Sequence, residues 1–213
     1  MFIALGVGKY IVNIEEILDA QYASTVDREY RIIGFLDSDP DKHCKEFCGF
    51  PVLGDLNWLR EQEEEINAIS FINPTGRAEL MNSILDFKKV IFPNLIHPSA
   101  IISPKAKFGK GNIFAQNVII APYVTIGDFN HFNYCVSIGH HCRVSSFVTC
   151  NGGAHIAGSS TIEEMVFIGP GAVVVDEINI GARAKVGANA VVRKDVPPEC
   201  LAVGVPARII GPQ

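Results

Sequence analysis

The sequence predicts an α/β domain of Rossmann type followed by an all-β parallel β-helix, with domains at residues 1–93 and 94–213. Two observations carry this reading. From Ile96 to Val192 every sixth residue is apolar, through Ile102, Phe108, Phe114, Ile120 and onward without a slip in register. Four residues after most of them stands a second, smaller residue, as at Val118, Val136, Cys142, Ala154 and Ala172. A helix repeats every 3.6 residues and a strand every two, so neither gives a period of six. Hexapeptide periodicity belongs to the parallel β-helix, in which short strand-and-turn units stack on identical units. The second observation is the change of grammar upstream, where short apolar runs alternate with segments of helical period, as in a parallel sheet with crossover helices.

Taken in order, Phe2–Leu5 reads as a buried strand ended by Gly6. Residues 11–22 place Ile11, Ile14, Ile17, Leu18 and Tyr22 on one helical face. Residues 31–36 form the next strand, closed by Asp37-Ser38-Asp39-Pro40. After an irregular stretch, Asp55 caps a helix carrying Leu56, Trp58 and Leu59. Residues 68–72 make a third strand, and residues 75–87 a helix with Leu80, Ile84 and Leu85 inward. The hexads then run to the C-terminal end of the repeat without interruption.

Composition narrows the partners. The 213 residues carry 23 acidic and 18 basic side chains, a net charge of −5, which offers no basic field for nucleic acid or an anionic membrane. No apolar run approaches the ~18 residues of a membrane span. Met1–Leu5 lacks the basic flank of a secretory signal. The six cysteines are scattered, and Cys142 and Cys150 fall on inward positions, which points to reduced thiols and a cytoplasmic protein. His43-Cys44-x-x-x-Cys48 supplies three candidate ligands but no fourth nearby, so no metal is expected.

Two places carry candidate chemistry. Gly6-Val7-Gly8, with Lys9 after it, stands where a strand meets a helix, the point at which an α/β domain offers backbone N–H groups to phosphate. Asp37, ending the second strand, is placed to hold a ribose or base. His140 and His141 occupy the third and fourth places of the hexad starting at Ile138, outside the buried series. Such a pair is either two solvated turn histidines or a proton-transfer site, since imidazole titrates near working pH.

The run Asn133-Tyr134-Cys135-Val136-Ser137-Ile138-Gly139-His140-His141-Cys142 resembles the bacterial hexapeptide-repeat acetyltransferases that modify sialic acids or nucleotide-linked amino sugars. So does the end of the coil, Val191 to Pro198 followed by Gly204-Val205-Pro206-Ala207-Arg208. The resemblance implies a left-handed β-helix with three hexads per coil, so that residues 18 apart stack, and a homotrimer with its clefts between subunits. It implies acetyl-CoA as donor, His140 as general base, and Asn133 and His141 beside it. Donor contacts would come from Gly158, whose N–H would hold the thioester oxygen, and from Pro170, Ala188, Lys194 and Arg208, the last two with Arg193 facing the phosphates. The α/β domain would bind the nucleotide of the acceptor through Gly6, Gly8, Lys9 and Asp37.

Three positions depart from the pattern. Tyr10 stands where the family has a histidine that reaches the sugar, and Thr149 where a second histidine is common. His141 follows the base where Asp or Glu is usual, and a charged ring there would oppose a charge on His140. The expected activity is acetyl-CoA-dependent N-acetylation of a nucleotide-linked amino sugar. Sugar O-acetylation and a non-catalytic sugar-nucleotide-binding trimer are the alternatives.

Overall fold

The computed structural model describes residues 1–23, 30–70, 72–84 and 87–212. It divides into two units, Met1–Leu95 and Ile96–Gln213.

In the first unit, β1 (Phe2–Leu5), α1 (Ile11–Gln21), β2 (Ile32–Leu36), β3 (Glu46–Phe47), β4 (Phe50–Gly54), α2 (Asn57–Arg60), β5 (Ile66–Ser70), α3 (Pro74–Ile84) and β6 (Val90–Ile91) follow in order. They form a sheet of order β3-β4-β2-β1-β5-β6. The pairs β1–β2, β1–β5, β2–β4 and β5–β6 are parallel. All four residues of β1 are buried, as a central strand covered on both faces requires. Helix α1 buries Ile11, Ile14, Ile17 and Leu18, the stripe its period foretold.

Three details differ from the sequence reading. The irregular stretch holds an antiparallel hairpin, β3–β4, in which Phe47 faces Phe50 across Cys48-Gly49. Both turn residues have positive φ, 51° and 82°, which a two-residue turn of type I′ demands. Cysteine in place of the usual Asn or Asp hid that signal. Strand β5 starts at Ile66, two residues earlier than its apolar run suggested. Asp55 Oδ1 accepts the Asn57 N–H at 2.8 Å, but α2 is a single turn. Leu85 lies outside the described residues.

The second unit turns the period of six into stacked coils. Among the described residues, seventeen two-residue strands run from β7 (Leu95–Ile96) to β23 (Val191–Val192), each ending on one of the period-six residues. Strands three apart pair in parallel with partners 18 residues apart, as in the column Ile102, Ile120, Ile138, Ile156, Val174 and Val192. From Phe114 onward the column-forming side chains are buried, and the Phe114 and Phe132 rings stack at 5.2 Å. Each fully buried aliphatic side chain contributes roughly 1.5–3 kcal/mol of transfer free energy.

The smaller series is interrupted by two asparagines, Asn112 and Asn130, both fully buried. They satisfy each other: Asn130 donates from its backbone N–H and its Nδ2 to Asn112 Oδ1, and its own Oδ1 accepts from Val148 N–H at 2.7 Å. A polar ladder is admissible inside the coil because every rung completes the next.

At every sixth residue from Gly111 to Asn189 the chain takes positive φ, so the left-handed conformation is how this coil turns its corners. His141, at φ 59°, is one such corner residue, and its backbone is therefore no local anomaly. The 18-residue rise holds to Val192 and then shortens. Ile180 pairs with Val196 and Val186 with Ala202, each 16 residues on. The hairpin of β24 (Cys200–Val203) and β25 (Arg208–Pro212) follows. No helix among the described residues is long and apolar enough to cross a membrane.

Candidate active site

The coil register builds the His140 site. Ile138 lies inward between Ile120 and Ile156, and after Gly139 the chain turns His140 and His141 outward at one corner. His141 N–H donates to Pro122 O at 3.2 Å, and His140 O accepts from Ser159 N–H at 2.8 Å. His140 is therefore held between Pro122 below and Gly158 above, and its side chain is exposed while the backbone is fixed. Gly158 leaves room for the ring in its present position. A Cβ there would stand 2.6 Å from His140 Cε1 and 2.9 Å from Nε2, inside van der Waals contact. The ring lies over the glycine of the next coil.

His140 Nδ1 is 3.1 Å from His141 Nδ1, and the two rings meet edge to face with centroids 5.3 Å apart. His141 in turn stacks on Tyr123, one coil below, at 5.0 Å and 24°. Lys105, one coil lower again, donates to the Tyr123 hydroxyl at 3.1 Å and places its ammonium 5.1 Å from the ring centroid. Tyr123 and Lys105 were not picked out from the sequence; counting back in steps of 18 from His141 reaches both.

The predicted donor contacts separate. Gly158 N–H donates to Asp176 Oδ1 at 2.9 Å, so the amide expected for the thioester oxygen is held by a carboxylate one coil above. Asp176, 18 residues after Gly158, is a second residue that the same count reveals. Pro170 and Ala188 are exposed and share a different corner with Tyr134 and Gly152. Lys194 is exposed, but it lies in the shortened turn between Val192 and Val196, so it leaves the strict 18-residue ladder of His140. Arg208 is exposed at the start of β25, opposite Val203.

Asn133 stands at the corner preceding that of His140 and donates from Nδ2 to Asn151 Oδ1 at 3.1 Å. Thr149 is buried on a strand with His131 directly below it, so this face carries a histidine one coil from where the family pattern puts it. Inside the coil, burial pushes the Cys150 thiol up to about 12, and Cys142, also raised by burial, donates from Sγ to Ala157 O. Both are packing residues.

The α/β unit holds a second cluster at the carboxyl ends of its strands. A cavity of about 370 Å³ is lined by Gly6, Leu36, Asp37, Ser38, Ile72 and Glu79, among others. Gly6 has φ +87°, and a Cβ on it would meet Ile72 Cγ2 at 2.6 Å. Asp37 is tied down on every side. Its Oδ2 accepts the Val7 N–H at 3.0 Å, its Oδ1 accepts the Asp39 N–H at 3.0 Å, and Lys42 Nζ reaches both oxygens at 3.1 Å. Burial opposes its charge, but these backbone donors and the lysine outweigh it and hold the carboxyl below the ordinary range. One amide of the Gly6-Val7-Gly8 turn thus belongs to Asp37. Lys9 is exposed, and Tyr10 precedes α1 as its N-terminal cap residue. All six cysteines are free thiols, and no cluster of three metal-ligating side chains occurs among the described residues.

Residues 159–194 match the family described as bacterial transferase hexapeptide (six repeats). PerB from Caulobacter crescentus, in complex with CoA and GDP-perosamine, is 31% identical over 99% of this chain and 97% of its own, with a TM-score of 0.87. The chain belongs to the hexapeptide-repeat sugar acetyltransferases. Within that family, the acetyltransferase domain of PglB from Neisseria gonorrhoeae FA1090, in complex with acetyl coenzyme A, is 26% identical over 98% of each chain, with a TM-score of 0.86. WeeI from Acinetobacter baumannii AYE is 25% identical over 99% of each, with a TM-score of 0.87. No curated protein matches the chain by sequence.

Proposed function

We propose that this acetyl-CoA-dependent sugar acetyltransferase transfers its acetyl group to the amino nitrogen of a nucleotide-linked amino sugar, with His140 as general base. The observation that carries the reading is the His140 imidazole, exposed at a fixed corner directly beneath a glycine that leaves it room. The relative crystallised with CoA and GDP-perosamine supports the substrate class.

In the reaction, the amine lone pair attacks the thioester carbonyl carbon while His140 Nε2 takes the proton that the nitrogen sheds. The C–N bond forms, the C–S bond breaks, and CoA leaves as thiolate. Two substrates held together need no acyl-enzyme, and orientation with proton removal supplies the rate. The oxyanion role foreseen for Gly158 requires Asp176 to release its N–H. Pro170, Ala188, Lys194 and Arg208 are proposed to follow the donor along the coil, with Asn133 and Thr149 toward the acceptor.

Residues 1–93 are proposed as a Rossmann-like nucleotide-binding domain, with the base or ribose in the cavity beside Gly6 and Asp37, and Gly8, Lys9 and Tyr10 toward the sugar. Residues 94–213 form the transferase domain. A homotrimer is supported by an apolar outer stripe on one face of the coil, where Ile101 is 66% and Ile119 46% exposed. Val173 and Val191 share the column beyond a polar pair, Ser137 and His155. Free thiols and a cytosolic donor support a cytoplasmic enzyme.

Thiol release from acetyl-CoA against a panel of nucleotide-linked amino sugars and free sialic acids tests the reading. Release with amino sugars alone is expected. His140→Ala should lower kcat by ~10²–10⁴ with little change in the KM of acetyl-CoA. Release with hydroxyl acceptors only, or with none, would overturn the assignment.

A further inference from the structure

We infer that His141, braced by Tyr123 and through it by Lys105, is the positioning residue of the base, and that its Nδ1 accepts the Nδ1–H of His140. This rests on the assignment of His140 as the base.

A hydrogen bond between two imidazole nitrogens needs one N–H and one lone pair. With the Nδ1 atoms 3.1 Å apart, two arrangements are open. If His141 donates, a neutral His140 carries its proton on Nε2 and has no lone pair left for the acceptor's proton. If His140 donates, its Nε2 lone pair is free beside Gly158. Only the second makes a base. It also strengthens during the reaction: once Nε2 gains a proton, the Nδ1–H belongs to a cation, and charge-assisted hydrogen bonds are about twice as strong as neutral ones. An interaction that tightens toward the transition state raises kcat rather than affinity.

An exposed histidine acts this way only if its ring is held. Tyr123 and His141 occupy equivalent corner positions 18 residues apart, both with positive φ (64° and 59°), so their rings project alike and stack at 5.0 Å. Lys105 closes the column by its bond to the Tyr123 hydroxyl and its position over the same ring. The column does with stacked rings what a carboxylate after the base does directly, orienting it and receiving its Nδ1–H.

The test uses the full-length enzyme with acetyl-CoA and its best amino-sugar acceptor. His141→Ala should lower kcat at least tenfold with the KM of acetyl-CoA within twofold, and Tyr123→Ala should lower kcat several-fold in the same pattern. Tyr123→Phe, which keeps the stacking ring, should restore most of the loss, and His141→Glu should keep activity because a carboxylate also accepts the Nδ1–H. Nitrogen-15 NMR of neutral His140 should show the proton on Nδ1, and this readout stands even if a variant folds poorly. Full activity of both alanine variants in an enzyme that His140→Ala inactivates overturns the inference alone, as does a proton found on Nε2. A fully active His140→Ala overturns the assignment beneath it.

Discussion

The two units solve the problem of specifying a fold in opposite ways. In the coil, position is arithmetic: up to Val192 partners are 18 residues apart, from Phe114 every sixth side chain is interior, and from Gly111 to Asn189 each corner repeats one backbone conformation. In the α/β unit, position rests on particular contacts that occur once. The Cys48-Gly49 turn closes one hairpin, and the Asp37 carboxylate ties one loop to another. A repeat tolerates chemical variation at its outer corners because the interior alone fixes the backbone. That is why two histidines, a tyrosine and a lysine line up in columns without any sequence motif shared among them.

The largest effect expected from breaking this contrast lies in the coil interior. Ile156 is fully buried between Ile138 and Val174. Ile156→Ala should cost roughly 2–5 kcal/mol, as deletions of buried aliphatic groups do. Because each coil contacts only its neighbours, the damage should stay local. Hydrogen exchange should show loss of protection in the coils around residue 156 while β1, β2 and β5 keep theirs. Uniform loss across both units would refute the one-dimensional picture.

A subtler break tests how the corners carry chemistry. Gly158→Ala introduces a Cβ 2.6 Å from the His140 ring without touching the interior. The ring must move, and a misplacement near 1 Å costs on the order of 10² in rate. The expected result is a drop of about that size in kcat with the unfolding midpoint nearly unchanged. Equal loss of stability would mean that the glycine serves the backbone instead.

The sequence made the coil legible down to its register because one periodic signal was sampled seventeen times. The His140 corner followed from position within the hexad. Its supporting column did not, because Lys105, Tyr123 and His141 are far apart in sequence and ordinary as surface residues; only stacking makes them neighbours. The place of Gly158 one coil above His140 was legible from the 18-residue count, but the hydrogen bond that its amide makes to Asp176 was not. In the α/β unit the strands were readable from apolar runs, whereas β3–β4 was missed because its turn residue is a cysteine. Asp37 was placed correctly at the end of β2, yet its lock on the Val7 amide depends on two loops meeting, which no local pattern encodes.

That lock gives the smallest and sharpest prediction. Asp37 accepts two backbone N–H groups and a lysine, with its side chain 10% exposed. Its carboxyl is held below the ordinary range, so the folded state binds the proton more weakly than the unfolded chain does. The stability this supplies is present in full above the unfolded value of ~3.9 and is lost as pH falls through the lower folded value. Asp37→Asn keeps the shape but removes the charge, and should cost roughly 1.5–3 kcal/mol at neutral pH, the range for hydrogen bonds to a charged group. The difference from wild type should shrink as the medium is acidified past the carboxylate range. Circular dichroism of urea unfolding at several pH values measures it, with the helices of the α/β unit as the reporter. Val7, Asp39 and Lys42, which hold Asp37, all belong to the α/β unit, so a variant that weakened the His140 unit equally would show the two regions to be one cooperative body. A difference independent of pH would show that Asp37 holds the loops by shape and not by charge.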